Sequence, residues 1–324
     1  MDPRIIVLMN NLTVSVVIGT FSFDRLPDIV AAVESISAQA YRNYEIVLSV
    51  ADNEELASAL RDRFNESILV VNNTQGRGPS RTRNNGARAA KGDIVAFLDD
   101  DAVAAPTWLA NLVRHYDDPL VMAAGGKSIP LWESPPPQWF CEELYWVVGC
   151  TYSGHPVKKT TIRSLPGCNM SFRRTVFERI GYFDENLGRA GNLIGSEDTE
   201  FFLRLRDRIA GAKIIFDPEV VVYHKVPAAR VNVRYLFWRS YGEGLGKAYF
   251  SMLHKKALAT EQTYLKHLLF NRIPAHMLYA MQGHSISGNI KATGADILSI
   301  IALGSGFTRN KMQLIFAKRR SNPV

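Results

Sequence analysis

Residues 13–18 (TVSVVI) form a β-branched run ending at Gly19, the pattern of a strand covered on both faces. Over 25–39 the apolar positions Leu26, Ile29, Val30, Val33 and Ile36 recur at helical spacing. The alternation continues with a strand over 44–50, a helix over 54–64, a strand over 68–71, a helix over 79–91 and a strand over 93–98. Pro79 suits the first helical turn, where its missing N–H has no partner to lose. Strands alternating with helices in this way predict an α/β fold with a mostly parallel sheet flanked by helices.

The rhythm breaks over 127–165. Pro130, Pro135-Pro136-Pro137 and the aromatics Trp132, Trp139, Tyr145, Trp146 and Tyr152 predict a long excursion with one short helix. Regular elements are expected again as a strand over 168–172, a short helix after Arg173, a helix over 197–209 and strands near 213–216 and 220–223. Beyond Pro227 the pattern is helical. A domain over 1–228 and a helical extension over 229–324 are the expected organisation.

Composition narrows the class. With 47 % hydrophobic and 21 % charged residues, the 324-residue chain is neither disordered nor collagen-like. Three cysteines, Cys141, Cys150 and Cys168, exclude a disulfide scaffold and fit a reducing compartment. The opening residues lack a signal-peptide pattern, so a cytoplasmic location is expected. The most apolar run, 297–307, is too short to cross a bilayer, and no transmembrane helix is expected. The net charge of +7 is unevenly spread: residues 1–224 hold 23 basic and 28 acidic residues, residues 225–324 hold 15 and 3.

Asp99-Asp100-Asp101 follows the fourth strand directly. Ligands of open α/β sheets bind outside the carboxyl ends of strands, so these carboxylates are expected to face a site. Adjacent acids repel unless a cation or ribose hydroxyls absorb the charge, and Mg²⁺ or Mn²⁺ fits. The bland alternative is an acidic cap for a helix starting at Pro106. Upstream, Arg77, Arg81, Arg83 and Arg88 gather at a helix start, where guanidinium groups and free N–H groups suit a diphosphate; a solvated basic face is the alternative. No Walker A loop occurs, and no GxGxxG follows the first strand. Asp52 closes the second strand, as a turn residue or at the same crevice. Ser196-Glu197-Asp198 reads as a helix cap or as a second acidic site, framed by the glycine-rich loop 188–195. His224 ends the last strand, as a satisfied histidine or a ligand.

Taken in order, VSVVIGTFSFDR, EIVLSVADNEE, GRGPSRTRNNGARAAKGDIVAFLDDDA, LPGCNMSFRR and GSEDTEFFLRLRDRIAGAKIIFDPEVVVYH resemble the family 2 glycosyltransferases with the GT-A fold. The similarity covers residues 13–225. It implies that Thr20 and Asp52 contact the base and ribose of a nucleotide, that Arg83 lies near the diphosphate, and that Asp99 and Asp100 belong to the donor site. Asp101 is implied on the metal, with His224 completing it, and Asp198 as catalytic base. Gly167, Asn169 and Glu197 would line the donor-sugar or acceptor pocket, with Trp238 added from the extension. The loop Thr20-Phe21-Ser22-Phe23-Asp24-Arg25 departs from the Asn-Arg of many members, and a QxxRW motif is missing, so transfer of a single sugar is expected over polymerisation. The implied reaction is inverting transfer from a nucleotide-diphosphate donor, UDP-hexose or UDP-hexuronic acid, to a lipid-linked or glycan hydroxyl. LPGCNMSFRR and the helical extension are similar to archaeal dolichyl-phosphate-glycan glucuronosyltransferases.

The cationic extension interleaves basic and aromatic residues over 231–250 and ends in Lys318-Arg319-Arg320. Such helices lie in a membrane interface and are drawn to anionic head groups, so a peripheral position on the inner face of the cell membrane is expected. A solvated helical cap on the catalytic domain is the alternative. A sugar-nucleotidyltransferase and a non-enzymatic polyanion binder remain as competing readings; nucleic acid is the weaker partner.

Overall fold

The computed structural model describes residues 12–188, 196–254, 259–282 and 285–321. The loop expected over 188–195 lies almost wholly outside them. Two compact units are present. One comprises 12–130, 156–188 and 197–225 of the described residues, the other chiefly Leu131–His155 and Val226 onward.

In the first unit, strands β1 (Val14–Thr20), β2 (Tyr44–Ala51), β3 (Leu69–Asn73) and β4 (Ile94–Asp99) are parallel, in the order β3-β2-β1-β4. The sheet continues through β8 (Asn169–Arg173), β6 (Val121–Trp132), β9 (Lys213–Val226) and β5 (Ala102–Ala104), with β7 (Thr160–Thr161) paired to β9. β8 runs antiparallel to β4 and β6, and β5 antiparallel to β9. The expected α/β class, with its parallel sheet and flanking helices, is present.

The period of two along each parallel strand builds two cores. Val14, Val16 and Ile18 of β1, Ile46, Leu48 and Val50 of β2, and Ile94, Ala96 and Leu98 of β4 face one layer. That layer is made by α1 (Leu26–Ser37), α2 (Glu54–Phe64) and α4 (Trp108–Val113). Val17, Val47, Val95 and Phe97 face the other, against α5 (Arg174–Ile180), α6 (Glu197–Arg208) and Ala87 of α3 (Pro79–Ala89). Phe97, Phe172, Phe177, Phe183 and Phe201 meet there mostly edge-on, with Phe97 and Phe183 centroids 5.5 Å apart. Truncating such a ring costs about 3–5 kcal/mol.

Helix α3 has almost no apolar side chains and rides close to the sheet on small ones. A Cβ at Gly86 would lie 2.3 Å from Val17 Cγ1, and Ser49 Oγ donates to Thr82 O at 2.7 Å. Asn84 holds the loop after α5, accepting from Phe183 N at 2.9 Å and donating to Phe183 O at 2.9 Å.

Two expected strand assignments change. Residues 121–132 form a strand where an excursion beginning at 127 was expected, because VMAAGGKSIPLW carries no β-branched run. Its glycines fit between neighbours: a Cβ at Gly126 would meet Asp217 O at 2.1 Å. The two short strands expected near 213–216 and 220–223 are one strand that runs through Pro218, where Glu219 N donates to Asp217 Oδ1 at 2.9 Å.

The second unit holds the rest of the excursion, including a short 3-10 helix over Glu142–Val148, together with α7 (Val233–Leu253), α8 (Ala259–His267), α9 (Ile273–Met281) and α10 (Ile286–Ser321). Segment 131–155 therefore groups with the helical extension, since Phe140, Leu144, Val147 and Val148 pack with Leu236 and Ala295. Helices α7 and α10 meet on small residues: Ser240 and Ser299 hydroxyls lie 3.0 Å apart, and a Cβ at Gly244 would fall 2.1 Å from Leu303 O. Contrary to the expectation from the short run 297–307, Ile286–Phe316 is long and apolar enough, by length and composition, to cross a membrane; 39 % of its most apolar window is buried.

Candidate active site

Strand β4 ends at Asp99, Asp100-Asp101 closes the turn, and β5 starts directly after it at Ala102. The antiparallel register of β5 and β9 sets Ala102 opposite His224, and Lys225 N donates to Asp101 O at 2.8 Å. His224 Nε2 is thereby held 3.2 Å from Asp101 Oδ1. One ligand atom each from Asp99, Asp101 and His224 lie within 4.8 Å of one another. Two carboxylates with one imidazole suit a hard-to-borderline divalent cation such as Mn²⁺.

Arg25 enters from the turn after β1, a residue the sequence reading gave no role. Its Nη1 donates to Asp100 Oδ1 at 2.5 Å and to Asp101 Oδ2 at 3.0 Å. Burial works against the Arg25 cation, but the Asp100 and Asp101 carboxylates outweigh it and hold its pKa above the ordinary value. Burial pushes the Asp100 carboxyl up to about 6, with Arg25 opposing and Asp101 adding to the rise. Thr20 helps hold the ionised form, yet Thr20 Oγ1 and Asp100 Oδ2 are buried without a well-formed hydrogen bond among the described residues. Polar capacity for a ligand remains there.

Arg83 projects from α3 and ties two segments together. Nη1 donates to Glu197 Oε1 at 2.7 Å and Nη2 to Asp99 Oδ1 at 3.2 Å. Burial disfavours its charge, and Asp99, Glu197 and Asp198 more than compensate, raising its pKa. Asp198 stands beside this pair in the first turn of α6, with Oδ1 accepting from Thr199 N at 2.7 Å. A Cβ at Gly167 would lie 3.2 Å from Asp198 Oδ2 and 3.3 Å from Arg83 Nη2, so glycine lets the chain pass beside both. Ser196 does not cap α6: its φ is 75° and its hydroxyl has no hydrogen-bond partner among the described residues.

The remaining candidates separate. Asp52 follows β2 at the same sheet edge with a left-handed φ of 49°, which aspartate tolerates, and its N–H donates to Asn73 O at 2.8 Å. Asn169 does not line a pocket. It is fully buried, accepts from Trp108 Nε1 at 2.8 Å and donates to Lys127 O and Val220 O at 2.8 and 2.9 Å, so its polar capacity is spent on packing. Arg81 and Arg88 reach Glu185, at 3.5 and 3.6 Å, whereas Arg83 reaches the acidic turn. Trp238 belongs to the helical unit, on α7, and is 59 % exposed.

A sheet of this topology with an acidic turn at its carboxyl edge has the arrangement of the GT-A fold. Over 91 % of this chain and 86 % of the other, the fold matches a mannosyltransferase from Pyrobaculum calidifontis solved with GDP-Man and Mn²⁺, with a TM-score of 0.57 at 19 % identity. Residues 15–181 match the model of glycosyl transferase family 2, and the chain belongs to that family. It is 34 % identical over 262 residues to a glucosyl-dolichyl phosphate glucuronosyltransferase of Haloferax volcanii, covering 80 % of this chain and 83 % of that one. It is 29 % identical over 245 residues to the succinoglycan biosynthesis protein ExoM of Rhizobium meliloti, covering 73 % and 75 %. The expected enzyme class and the narrower archaeal similarity both stand.

Proposed function

We propose that this family 2 glycosyltransferase moves one sugar, a hexose or hexuronic acid, from a UDP donor to a lipid-phosphate-linked acceptor, with inversion at the anomeric carbon. The observation that carries this reading is the Arg83 bridge, which brings the acidic pair of α6 to the acidic turn after β4. Asp198, in the first turn of a helix, is favoured as a carboxylate by the helix dipole, and it is the base that takes the proton from the attacking acceptor hydroxyl. Thr20, Asp52 and Asp100 lie at the sheet edge where the nucleoside would sit. Arg83 and Arg25 offer cationic donors along the diphosphate. Asp99, Asp101 and His224 would hold a divalent cation, which would offset the charge developing on the leaving diphosphate. Holding donor and acceptor in line supplies much of the acceleration.

The lipid-linked acceptor rests on the helical unit. Along α10, Ile286, Ile290, Ile297, Ile301, Met312 and Phe316 are exposed and fall within about 120° of arc at 100° per residue. The opposite face buries Asp296, Ser299 and Asn310. Apolar outside and polar inside is the reverse of a helix solvated by water, and it suits a membrane surface. The excess of Lys and Arg beyond residue 224 adds attraction to anionic lipid, supporting a peripheral cytoplasmic location.

Purified protein incubated with Mn²⁺ and a panel of nucleotide sugars is expected to release UDP from one of them, faster with lipid-phosphate acceptors and not at all after chelation. Failure to bind any nucleotide sugar would overturn the reading.

A further inference from the structure

The helical unit contains a second cluster of ligating groups, independent of the acidic turn and of the function proposed above. Cys141 precedes the 3-10 helix over Glu142–Val148, His276 lies on α9 and Asp296 on α10. One ligand atom from each lies within 4.8 Å of the others. Asp296 is 0 % exposed, and neither carboxylate oxygen has a hydrogen-bond partner among the described residues. His276 Nε2 lies 3.9 Å from Asp296 Oδ2, beyond hydrogen-bond reach. A buried ionised carboxylate with no donor is costly unless a cation sits beside it.

His276 is 6 % exposed and poised in the way metal-ligating imidazoles are. Its Nδ1 lies 3.0 Å from Asn289 Oδ1, an acceptor that sets the Nδ1–H tautomer and leaves the Nε2 lone pair facing the cluster. Nε2 has no hydrogen-bond partner among the described residues. The charge balances as well. A Cys141 thiolate, Asp296 and the buried Glu143 carry three negative charges, and Arg272, 2.9 Å from Glu143, carries one positive charge. A divalent cation brings the sum to zero.

We propose that Cys141, His276 and Asp296 bind a zinc-class divalent cation that ties the segment before Glu142–Val148 to α9 and α10. Thiolate, imidazole and carboxylate together favour Zn²⁺ over Mn²⁺ or Mg²⁺ and leave a fourth position for water. Half-buried Cys141 is the point of entry, and binding releases the thiol proton as the S–metal bond forms.

The test uses the full-length protein, stripped of metal and titrated with Co²⁺. One equivalent is expected to produce a near-ultraviolet thiolate-to-cobalt band with tetrahedral visible bands, which Zn²⁺ displaces and Mn²⁺ does not. The band should vanish in Cys141→Ser, weaken at least tenfold in affinity in Asp296→Asn, and persist in Asp101→Asn, which removes a ligand of the other cluster. Zn²⁺ should raise the melting temperature of the wild type and not of His276→Ala, whose folding is checked separately by circular dichroism. No thiolate band, a band that survives Cys141→Ser, or a melting temperature indifferent to Zn²⁺ overturns the proposal.

Discussion

Replacing Arg83 with Met removes a cation from between two carboxylates of unequal exposure. The Glu197 side chain is 10 % exposed and the Asp99 side chain 36 % exposed. Breaking a buried pair on one side costs about 3–5 kcal/mol, whereas a solvent-screened partner contributes below about 1 kcal/mol. The Glu197 half therefore dominates, and Arg83→Met is expected to lose about 3 kcal/mol in urea unfolding followed by circular dichroism. Glu197→Gln in the same chain neutralises the stranded group and should recover about 2 kcal/mol of that loss. Arg83→Lys should behave closer to Met than to Arg, because one ammonium cannot reproduce the two-armed contact at 2.7 and 3.2 Å. A loss under about 1 kcal/mol, or no recovery from Glu197→Gln, refutes the reasoning. Transfer activity should fall in all three variants, since most of the stability returns in the double variant but the cation proposed for the donor site does not.

Asn169→Leu should destabilise by about 2–3 kcal/mol, from the stranded Trp108 Nε1 and two backbone carbonyls, with the donor KM unchanged; a raised KM at unchanged melting temperature would return Asn169 to the pocket. His155 is held near pKa 4 against an ordinary 6.5, chiefly by burial, so its unfolded form takes up a proton first as pH falls. Stability should drop between about pH 6.5 and 4 by at most about 3 kcal/mol, and His155→Gln should flatten that slope in melting temperatures taken across the range. Paired Ile290→Glu and Ile301→Glu substitutions on the outer face of α10 should cut co-sedimentation with anionic liposomes by about tenfold or more; unchanged binding would remove α10 from the membrane contact.

The parallel half of the sheet is legible because strands covered on both faces need β-branched runs, and β1, β2 and β4 have them. Strand β6 is not, since its Ala-Ala-Gly-Gly core is chosen for close approach to β8 and β9 and leaves no periodic signal. Residue type and position at strand ends mark Asp99, Asp101 and His224 as candidates, but their convergence depends on the β5–β9 register, which is a long-range fact. Arg25 was missed for the same reason: one arginine in a loop carries no pattern until Asp100 and Asp101 are seen against it. Asn169 shows the reverse case. It sits in a segment that resembles a family motif, and three hydrogen bonds assign its amide to holding β8 against its surroundings. The polar inner face of α10 is likewise invisible to a search for an uninterrupted apolar run, because Asp296 and Ser299 break the run without facing solvent.

Asp198 is proposed as the base of the glycosyl transfer and not as a structural cap of α6. Asp198→Asn preserves the size of the side chain and its acceptor oxygen while removing the charge. Titration calorimetry with the preferred nucleotide sugar and Mn²⁺, run beside a transfer assay, should show donor affinity within about threefold of wild type, with transfer lowered by at least about 10². Full transfer by Asp198→Asn, with donor binding intact, would contradict the account.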